Sequence, residues 1–366
     1  MKKILLFSRD PGGANLIISM HCVLKQEFNI NLYGKDNALN VYKKNNLPCE
    51  DINQILPSIS AKNISEFLIQ HQFDGILTST SAEDFTERLL WQAAKKLNIY
   101  HGAVLDQWMN YSLRFLKSHK SYQSKEKYNL NEYILPKNIF VMDEYAQQAM
   151  IKEGIPAKYI KVTGQPYFEH FINQHKKPTS HNRNNEKLTW LFASEPITTV
   201  YGKEKGLDLY GYTEQSILYA ICNAINEIPN NTIELIIKPH PRESTEVYSK
   251  ICNQFNFISL ISLDSVEAIL QSDAVLGMSS TLLLEAALLN RPILSIQLNL
   301  KMDSPFILDQ IDKSKSILNE NNLKKELTLL TEYKSGSMNS KFIVNLSTEK
   351  NAINNILLCI KKGLNP

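Results

Sequence analysis

Short apolar runs of strand length alternate along this chain with longer segments of helical periodicity, and the alternation stops once and then starts again. This pattern is typical of parallel α/β sheets, in which a helix connects each strand to the next. The clearest helix is predicted from Ala82 to Leu97, where apolar residues recur at helical spacing. The sequence therefore predicts an α/β protein with two successive Rossmann-like sheets.

The predicted strands are runs of mostly apolar residues. Those of the first sheet cover 3–8, 30–34, 74–80, 99–106, 138–143 and 158–164. Those of the second sheet cover 188–194, 232–238, 257–261, 273–278 and 292–298. Helices are predicted between the later strands and near the end of the chain, at 214–227, 243–253, 265–271, 281–290 and 349–362.

A polar stretch, HKKPTSHNRNNEK, lies between the two sets of strands at 175–187 and has the composition of a linker. It predicts an N-terminal domain over 1–174 and a C-terminal domain over 188–345, followed by a terminal segment over 346–366. Open α/β sheets bind their ligands beyond the carboxyl ends of the strands. We therefore expect two Rossmann-like domains that face a central cleft.

Composition limits the function classes. The chain has 366 residues, 43% of them hydrophobic, and a formal net charge of +3, so a soluble globular protein is indicated and nucleic acid is not a predicted partner. The five cysteines form no CxxC pair and no metal-ligand spacing, which favours a reducing compartment. The N-terminal apolar run ILLF is too short for a signal peptide, and no run approaches transmembrane length. We expect a cytoplasmic protein.

The basic motif KPHPRES, at 238–244, follows the apolar run TIELII. Its prolines, Pro241 among them, end the strand and leave Lys238, His240 and Arg242 at its carboxyl edge. No HxH or HExxH motif accompanies the histidine, so a metal site is not predicted. The basic neighbours lower the proton affinity of the imidazole but favour an anion bound between them. We interpret the motif as a phosphate site; a histidine that caps the turn is the alternative.

A second motif, GMSST, begins at Gly277 and opens an apolar helix. Ser279, Ser280 and Thr281 place three hydroxyls beside helix amides that are expected to be unpaired, which suits an anion. Glu285 lies four residues after Thr281 on the same helix face, where it can accept from a ribose or sugar hydroxyl. Plain N-capping is the alternative. Together with KPHPRES, this motif predicts one site for the phosphate of a nucleotide.

The turn SRDPGGAN joins the first strand to the first helix. We expect Gly12 and Gly13 to provide a positive φ and the close approach of a ligand. Asp10 is a candidate general base or ligand of a sugar hydroxyl. The alternative is a simple turn with Asn15 as N-cap. The pattern is neither GxGxxG nor a P-loop, which disfavours NAD and kinase-type ATP binding.

Further candidates for the cleft share a position at or just beyond the end of a predicted strand: Asp106, Trp108, Asn110, Gly164, Gln165, Ser194 and Glu195. Asp106 is a second candidate base, and the aromatic ring of Trp108 suits either sugar binding or the core. The connection 194–216 is expected to be a long functional loop. The basic run Lys117 to Lys127 is interpreted as a solvated face, with peripheral contact to a membrane or glycan as the minority alternative.

With KPHPRE and GMSST in these positions, the second half of the chain resembles the C-terminal domain of GT-B glycosyltransferases with HP and Ser-Ser/Thr motifs. That group includes bacterial sialyl- and polysialyltransferases, capsular Kdo transferases and CDP-glycerol glycerophosphotransferases. The resemblance implies that His240, Pro241 and residues 279–281 bind the phosphate of a CMP- or CDP-linked donor, and that a terminal helix crosses back to the first domain. The segment VTGQPYFEHF is also similar to the TGN-type turn of UDP-N-acetylglucosamine 2-epimerases, a related fold.

The leading functional prediction is a metal-independent, cofactor-free inverting glycosyltransferase of bacterial capsule or lipopolysaccharide biosynthesis. It would move a CMP-linked nonulosonate or Kdo to a glycan or lipid-linked acceptor, with Asp10 or Asp106 as base and His240 stabilising the leaving phosphate. Two enzymatic alternatives are a UDP-sugar 2-epimerase or hydrolase and a CDP-alditol phosphotransferase. A nucleotide- or glycan-binding protein without activity is the third alternative.

Overall fold

A computed structural model of the chain describes residues 1–118, 129–175, 187–229, 233–332, 341–344, 346 and 351–365. The chain forms two compact units. The first unit comprises Met1–Gln174 together with Thr348–Pro366, and the second unit comprises His175–Ser347. The end of the chain therefore belongs to the same unit as its beginning.

The first unit contains a seven-stranded sheet in the order β3-β2-β1-β4-β5-β6-β7, with every neighbouring pair parallel. Its strands are β1 (Lys3–Ser8), β2 (Asn29–Gly34), β3 (Glu50–Asp51), β4 (Gly75–Thr78), β5 (Tyr100–Val104), β6 (Asn138–Val141) and β7 (Ile160–Val162). The strand order reverses direction at β1, between β2 and β4. At such a switch point the loops beyond the carboxyl ends diverge and leave room for a ligand.

The second unit contains a five-stranded parallel sheet in the order β10-β9-β8-β11-β12. Its strands are β8 (Leu188–Ala193), β9 (Ile233–Lys238), β10 (Ile258–Leu260), β11 (Ala274–Gly277) and β12 (Ile293–Ser295). The central strand β8 lies between β9 and β11, so its carboxyl end is this sheet's switch point. The predicted α/β class with parallel sheets is confirmed.

The helices pack on the faces of the two sheets. In the described part of the chain they are α1 (Pro11–Glu27), α2 (Asn37–Lys44), α3 (Ile52–Ile55), α4 (Ala61–His71), α5 (Thr86–Lys96), α6 (Glu144–Lys152), α7 (Pro166–His175), α8 (Ile197–Tyr201), α9 (Lys203–Tyr210), α10 (Glu214–Asn226), α11 (Thr245–Cys252), α12 (Ser265–Gln271), α13 (Thr281–Leu288), α14 (Ile307–Gln310), α15 (Glu320–Thr331) and α16 (Ala352–Leu364). Three short 3-10 helices lie at Ser112–Arg114, Leu130–Glu132 and Ala157–Tyr159. No helix within these ranges has the length and apolarity that crossing a membrane requires.

The last helix, α16, packs into the core of the first unit against α1 and β5. Its buried face includes Ile356 and Ile360, which share a core with Leu16 and Met20 of α1. A Cβ on Gly363 would overlap the ring of Tyr100, so glycine is required where the helix approaches β5. The apolar face of α16 is therefore buried in the core of the first unit.

The predicted loop at 194–216 is wrong in form, because α8 and α9 occupy most of it. The glycines that suggested a loop are the boundaries of these helices. Gly202 ends α8 with φ 79°, and Gly211 ends α9 with φ 88° in the left-handed region. A Cβ on Gly211 would also overlap the carbonyl oxygen of Asn299. The two-residue strand β3 was missed because its residues, Glu50 and Asp51, have no apolar pattern.

Candidate functional site

Two consecutive residues at the carboxyl end of β8 connect the two motif loops of the second unit. Ser194 Oγ lies 3.0 Å from Glu243 Oε1 in the loop after β9. Glu195 Oε2 accepts a hydrogen bond of 2.8 Å from the hydroxyl of Ser279 in the loop after β11. The KPHPRES and GMSST motifs therefore lie on either side of one strand end, at the switch point of the sheet.

The loop after β9 is held by Glu243, which the sequence analysis placed only at the start of the following helix. Its Oε2 accepts from the backbone amide of His240 at 2.6 Å, and its own amide donates to the carbonyl of His240 at 2.9 Å. Its Oε1 accepts from Tyr248 Oη at 2.5 Å. A glutamate three residues after the position that it caps is the spacing of a capping box, and this spacing could have identified it from the sequence.

The hydrogen bonding of His240 fixes its tautomer. Nδ1 accepts from the backbone amide of Arg242 at 3.2 Å, so in the neutral ring the proton lies on Nε2. Burial, followed by the positive charge of Arg242, lowers the pKa of His240. The imidazole is therefore a neutral donor through Nε2–H. Lys238 donates to the carbonyl of Leu263 at 2.6 Å, while Pro241 and Arg242 are exposed.

The amino end of α13 already holds a carboxylate, which corrects the expectation of unpaired amides. Glu195 accepts from both the amide and the hydroxyl of Ser279. Ser280 caps the helix by accepting from the amide of Leu282 at 3.2 Å. Burial raises the pKa of Glu195, although bonds from Ser279 and from the Ser280 amide lower it. Thr281 is exposed, and in the described structure its hydroxyl neither contacts Glu195 nor caps the helix.

Two other residues of this motif have different surroundings. Gly277 ends β11, where a Cβ would lie 2.9 Å from the carbonyl oxygen of Ala193 in β8. This glycine therefore allows close approach of neighbouring strands. Glu285 is half-buried in α13, one helical turn after Thr281.

In the first unit, Asp10 belongs to a polar cluster at the carboxyl ends of β1 and β4. Ser81 Oγ lies 2.8 Å from Asp10 Oδ2 and 2.9 Å from Glu87 Oε1. Arg9 Nη1 lies 3.2 Å from Asp10 Oδ1. Glu87 was not predicted, because a polar residue in the first turn of an apolar helix is usually a solvated one.

Asp106 lies in a buried ion pair with Arg114, at 2.7 Å. The same guanidinium nitrogen donates to the carbonyl and the hydroxyl of Thr80, at 2.9 and 2.8 Å. Since Thr80 and Ser81 are adjacent, the end of β4 is bonded on one side to the Asp106–Arg114 pair and on the other to Asp10. The two carboxylates predicted as bases thus meet at one edge of the first sheet.

The predicted role of the two glycines after Asp10 requires correction. Neither Gly12 nor Gly13 has a positive φ, because both lie in the first turns of α1. A Cβ on Gly12 would overlap the carboxylate of Asp106, and one on Gly13 would overlap Ser79. Close packing of protein side chains explains both glycines. The alternative with Asn15 as N-cap is also wrong, since α1 begins at Pro11.

Trp108 and Gln165 contact the protein at the edge of the first sheet. Trp108 Nε1 donates to Asp143 Oδ2 at 2.7 Å, and its ring stacks on Phe168 with 5.7 Å between centroids. Gln165 Nε2 donates to the carbonyl of Asp106 at 3.2 Å, while its Oε1 is buried without a hydrogen-bond partner among the described residues.

Asn110 and Gly164 have positive φ, of 56° and 90°. Of the basic run Lys117 to Lys127, residues 119–127 lie outside the described residues. In the described ranges, no three His, Cys, Asp or Glu side chains are grouped as metal ligands would be.

Comparison with known proteins identifies the fold. The sequence model of a family described as UDP-N-acetylglucosamine 2-epimerase matches residues 135–301. Among solved structures, the chain is similar to Staphylococcus aureus MnaA with UDP (18% identity, 100% of this chain and 97% of that chain, TM-score 0.64). It is also similar to Neisseria meningitidis UDP-GlcNAc 2-epimerase bound to UDP-GlcNAc (16%, 99% and 100%, 0.59) and to Acinetobacter baumannii MurG (12%, 99% and 100%, 0.59). None of the curated proteins matches the chain.

These likenesses confirm the predicted two-domain GT-B-like fold. The predicted function, a glycosyltransferase with a CMP-linked nonulosonate or Kdo donor, is wrong. The family match is to UDP-N-acetylglucosamine 2-epimerases, and two of these neighbours are structures with UDP or UDP-GlcNAc. The sialyltransferase-like assignment failed because the KPHPRES and GMSST motifs predict only contacts to a phosphate, which CMP- and UDP-linked sugars both contain.

Proposed function

We propose that this protein is an enzyme that acts on a UDP-linked sugar without a separate acceptor, as a UDP-N-acetylglucosamine 2-epimerase does. The observation that carries the proposal is the family match over residues 135–301. That range contains the end of β8 and both loops that β8 connects, 238–244 and 277–281. The polar groups of these two loops support binding of a nucleoside diphosphate at the edge of the second sheet.

The phosphates are assigned to three donors that no hydrogen bond or ion pair within the described residues occupies. His240 offers Nε2–H, Thr281 offers its hydroxyl, and the exposed Arg242 offers a guanidinium. Hydrogen bonds from such groups to a phosphate are strengthened by its charge. Glu285 is assigned to a ribose hydroxyl.

The chemistry at the sugar requires a proton carrier, because inversion at C2 breaks a C–H bond and forms another on the opposite face. Asp10 is assigned to this transfer, since its carboxylate is partly exposed and shares a hydroxyl with a second carboxyl group. Asp106 is assigned to holding the edge of the sheet, because its carboxylate is buried against Arg114.

The test is incubation of the purified protein with UDP-GlcNAc alone in D₂O, followed by proton NMR of the sugar. We expect loss of the H2 signal through deuterium incorporation and the appearance of the 2-epimer, either as UDP-sugar or as free sugar with UDP. His240→Ala should abolish turnover, whereas Glu204→Gln, on the exposed surface of α9, should retain it. Unchanged UDP-GlcNAc after prolonged incubation would refute the proposal.

Nucleotide selectivity offers an independent check by thermal shift with UDP, CMP, CDP and GDP. A ligand that binds only the folded protein raises the melting temperature according to its affinity. UDP should give the largest shift, and a larger shift with CMP would contradict the assignment.

A further inference from the structure

Glu87 is a buried carboxyl group for which the proposed function has given no role. It lies in the first turn of α5 and is 1% exposed. Its Oε1 contacts Ser81, while its Oε2 is buried and has no hydrogen-bond partner in the part of the chain that the structure describes. A fully buried carboxylate with an unsatisfied oxygen is costly, and in proteins such a group commonly binds a proton instead.

The contacts of Ser81 require an additional proton. Its oxygen lies 2.8 Å from Asp10 Oδ2 and 2.9 Å from Glu87 Oε1, and both are hydrogen-bond distances. A serine hydroxyl has one proton, so it can donate fully to only one of two carboxylates. The second contact becomes a hydrogen bond when a carboxyl group carries the proton and donates to the serine oxygen.

The surrounding charges indicate that Glu87 is the protonated member. The charged groups that pair with members of this cluster or influence them include Arg9, Asp10, Lys35, Asp84 and Arg88. Arg9 pairs with Asp10, and Lys35 pairs with Asp84 at 2.5 Å.

The guanidinium of Arg88 donates to four backbone carbonyls, those of residues 81, 82, 84 and 116. Among the described residues, no cation bonds to the Glu87 carboxyl. Burial raises the pKa of Glu87 to about 8, although hydrogen bonds from its own amide and from Ser81 lower it; the nearby negative charges of Asp84 and Asp10 add to the rise. At neutral pH Glu87 therefore donates a hydrogen bond to Ser81, and Ser81 donates one to Asp10.

We propose that Glu87 is the proton store of the site and exchanges its proton with Asp10 through Ser81. Starting from this arrangement, in which Asp10 is the acceptor, the Ser81 hydroxyl passes its proton to Asp10 and receives the proton of Glu87, so that Asp10 can give a proton away. One O–H bond breaks and one forms at the serine oxygen, so Ser81 is unchanged and the negative charge moves from Asp10 to Glu87. The part played by Asp10 at the sugar rests on the proposed function; the proton on Glu87 does not.

The first test needs no substrate and measures the urea unfolding equilibrium as a function of pH. Because the folded-state pKa of Glu87 is raised, the folded protein holds one proton more than the unfolded chain between about pH 4.5 and 8. The contribution of this group to stability is therefore lost as pH rises through that window, by up to tenfold in the unfolding constant per pH unit.

Glu87→Gln should abolish this part of the slope, while Glu83→Gln, an exposed neighbour, should keep it. Asp10→Asn removes a negative charge, so it should lower the pKa of Glu87 and with it the upper end of this pH window. This effect should become smaller in a Ser81→Ala background. Equal slopes in wild type and Glu87→Gln, or an Asp10→Asn effect that does not depend on Ser81, would overturn the proposal.

The second test follows turnover of UDP-GlcNAc in D₂O against pH. Wild-type turnover should fall above about pH 8, where Glu87 loses its proton. Glu87→Gln and Ser81→Ala should both be about tenfold slower at pH 7 and should lack this alkaline limb, while Ser81→Thr, which keeps the hydroxyl, should restore most of the rate. A merely structural role of Glu87 would lower the rate without removing the limb, and that result would overturn the relay. If wild type turns over no UDP-sugar, the proposed function fails, and the unfolding measurements alone decide on the Glu87 proton and its coupling to Asp10.

Discussion

Glu195 accepts a hydrogen bond of 2.8 Å from the hydroxyl of Ser279, and it also accepts the Ser279 amide at the amino end of α13. A helix amino end favours a negative charge, and in this protein the chain itself supplies that charge. A phosphate bound nearby would therefore experience repulsion from a carboxylate. The raised pKa of Glu195, caused first by burial, lessens this repulsion because it makes proton uptake easier.

Replacement of Glu195 by glutamine should tighten the binding of UDP. The substitution removes the repulsive charge and keeps a side chain that can accept from Ser279. We expect the Kd to fall about tenfold, which is ~1.4 kcal/mol of binding free energy, as measured by isothermal titration calorimetry. Glu204→Gln on α9 is the matched control and should leave the Kd unchanged. Weaker binding by Glu195→Gln would show that the carboxylate contacts the ligand.

The neutral state of His240 predicts that UDP affinity depends little on pH between 7 and 8. Its pKa is lowered below 6.5, so protonation of the imidazole is already lost at the start of this interval. His240→Gln, which retains an N–H donor, should bind UDP more tightly than His240→Ala. Calorimetry at both pH values with all three proteins checks this. If the wild-type affinity for UDP instead fell by close to tenfold from pH 7 to pH 8, His240 would be a protonated imidazolium in the complex.

Gly12→Ala should destabilise the first unit because the new Cβ would overlap the carboxylate of Asp106. Overpacking of this kind costs about 1–3 kcal/mol, which urea denaturation can measure. The cost of Gly12→Ala should be smaller in an Asp106→Ala background, since the overlapping group is then absent. Equal costs in both backgrounds would mean that the glycine is required for another reason.

Much of the fold could be predicted from the sequence, because the signals are local. Fully buried parallel strands such as Ile4–Phe7 are continuous apolar runs. The partners of the site residues are not local. Asp106 was predicted as a base, but its buried bond to Arg114 depends on how the loop after β5 folds back on Thr80. Glu87 is hidden for the same reason, since only the tertiary structure shows that it faces Ser81.

The nucleotide could not be predicted from the motifs that identify the site. His240 and Thr281 belong to motifs that predict contacts to a phosphate, and these motifs carry no signal for the base of the nucleotide. The pairing of Glu195 with Ser279 is equally invisible, because 84 residues separate them along the chain. The hydroxyls and the start of α13 were recognised correctly from the sequence. The carboxylate of Glu195, which accepts from the Ser279 amide there, was not recognised.

Gly363→Ala should loosen the packing of α16 on the first unit. The added Cβ would overlap the ring of Tyr100, so the helix must shift away from β5. We expect a loss of about 1–3 kcal/mol in unfolding free energy and faster amide exchange in α16. Hydrogen exchange followed by mass spectrometry measures the second effect. A wild-type exchange pattern in α16 would contradict the expected displacement.

The return of α16 to the first unit has a consequence for synthesis on the ribosome. Residues 1–174 leave the ribosome with the surface that Ile356 and Ile360 will cover still open to water. The whole of the second unit, His175–Ser347, must be translated before the covering helix exists. At about 5–20 residues per second this interval lasts on the order of ten seconds or more. During that time the nascent first half exposes an apolar surface that chaperones can bind, so the unit encoded first is the last to be completed.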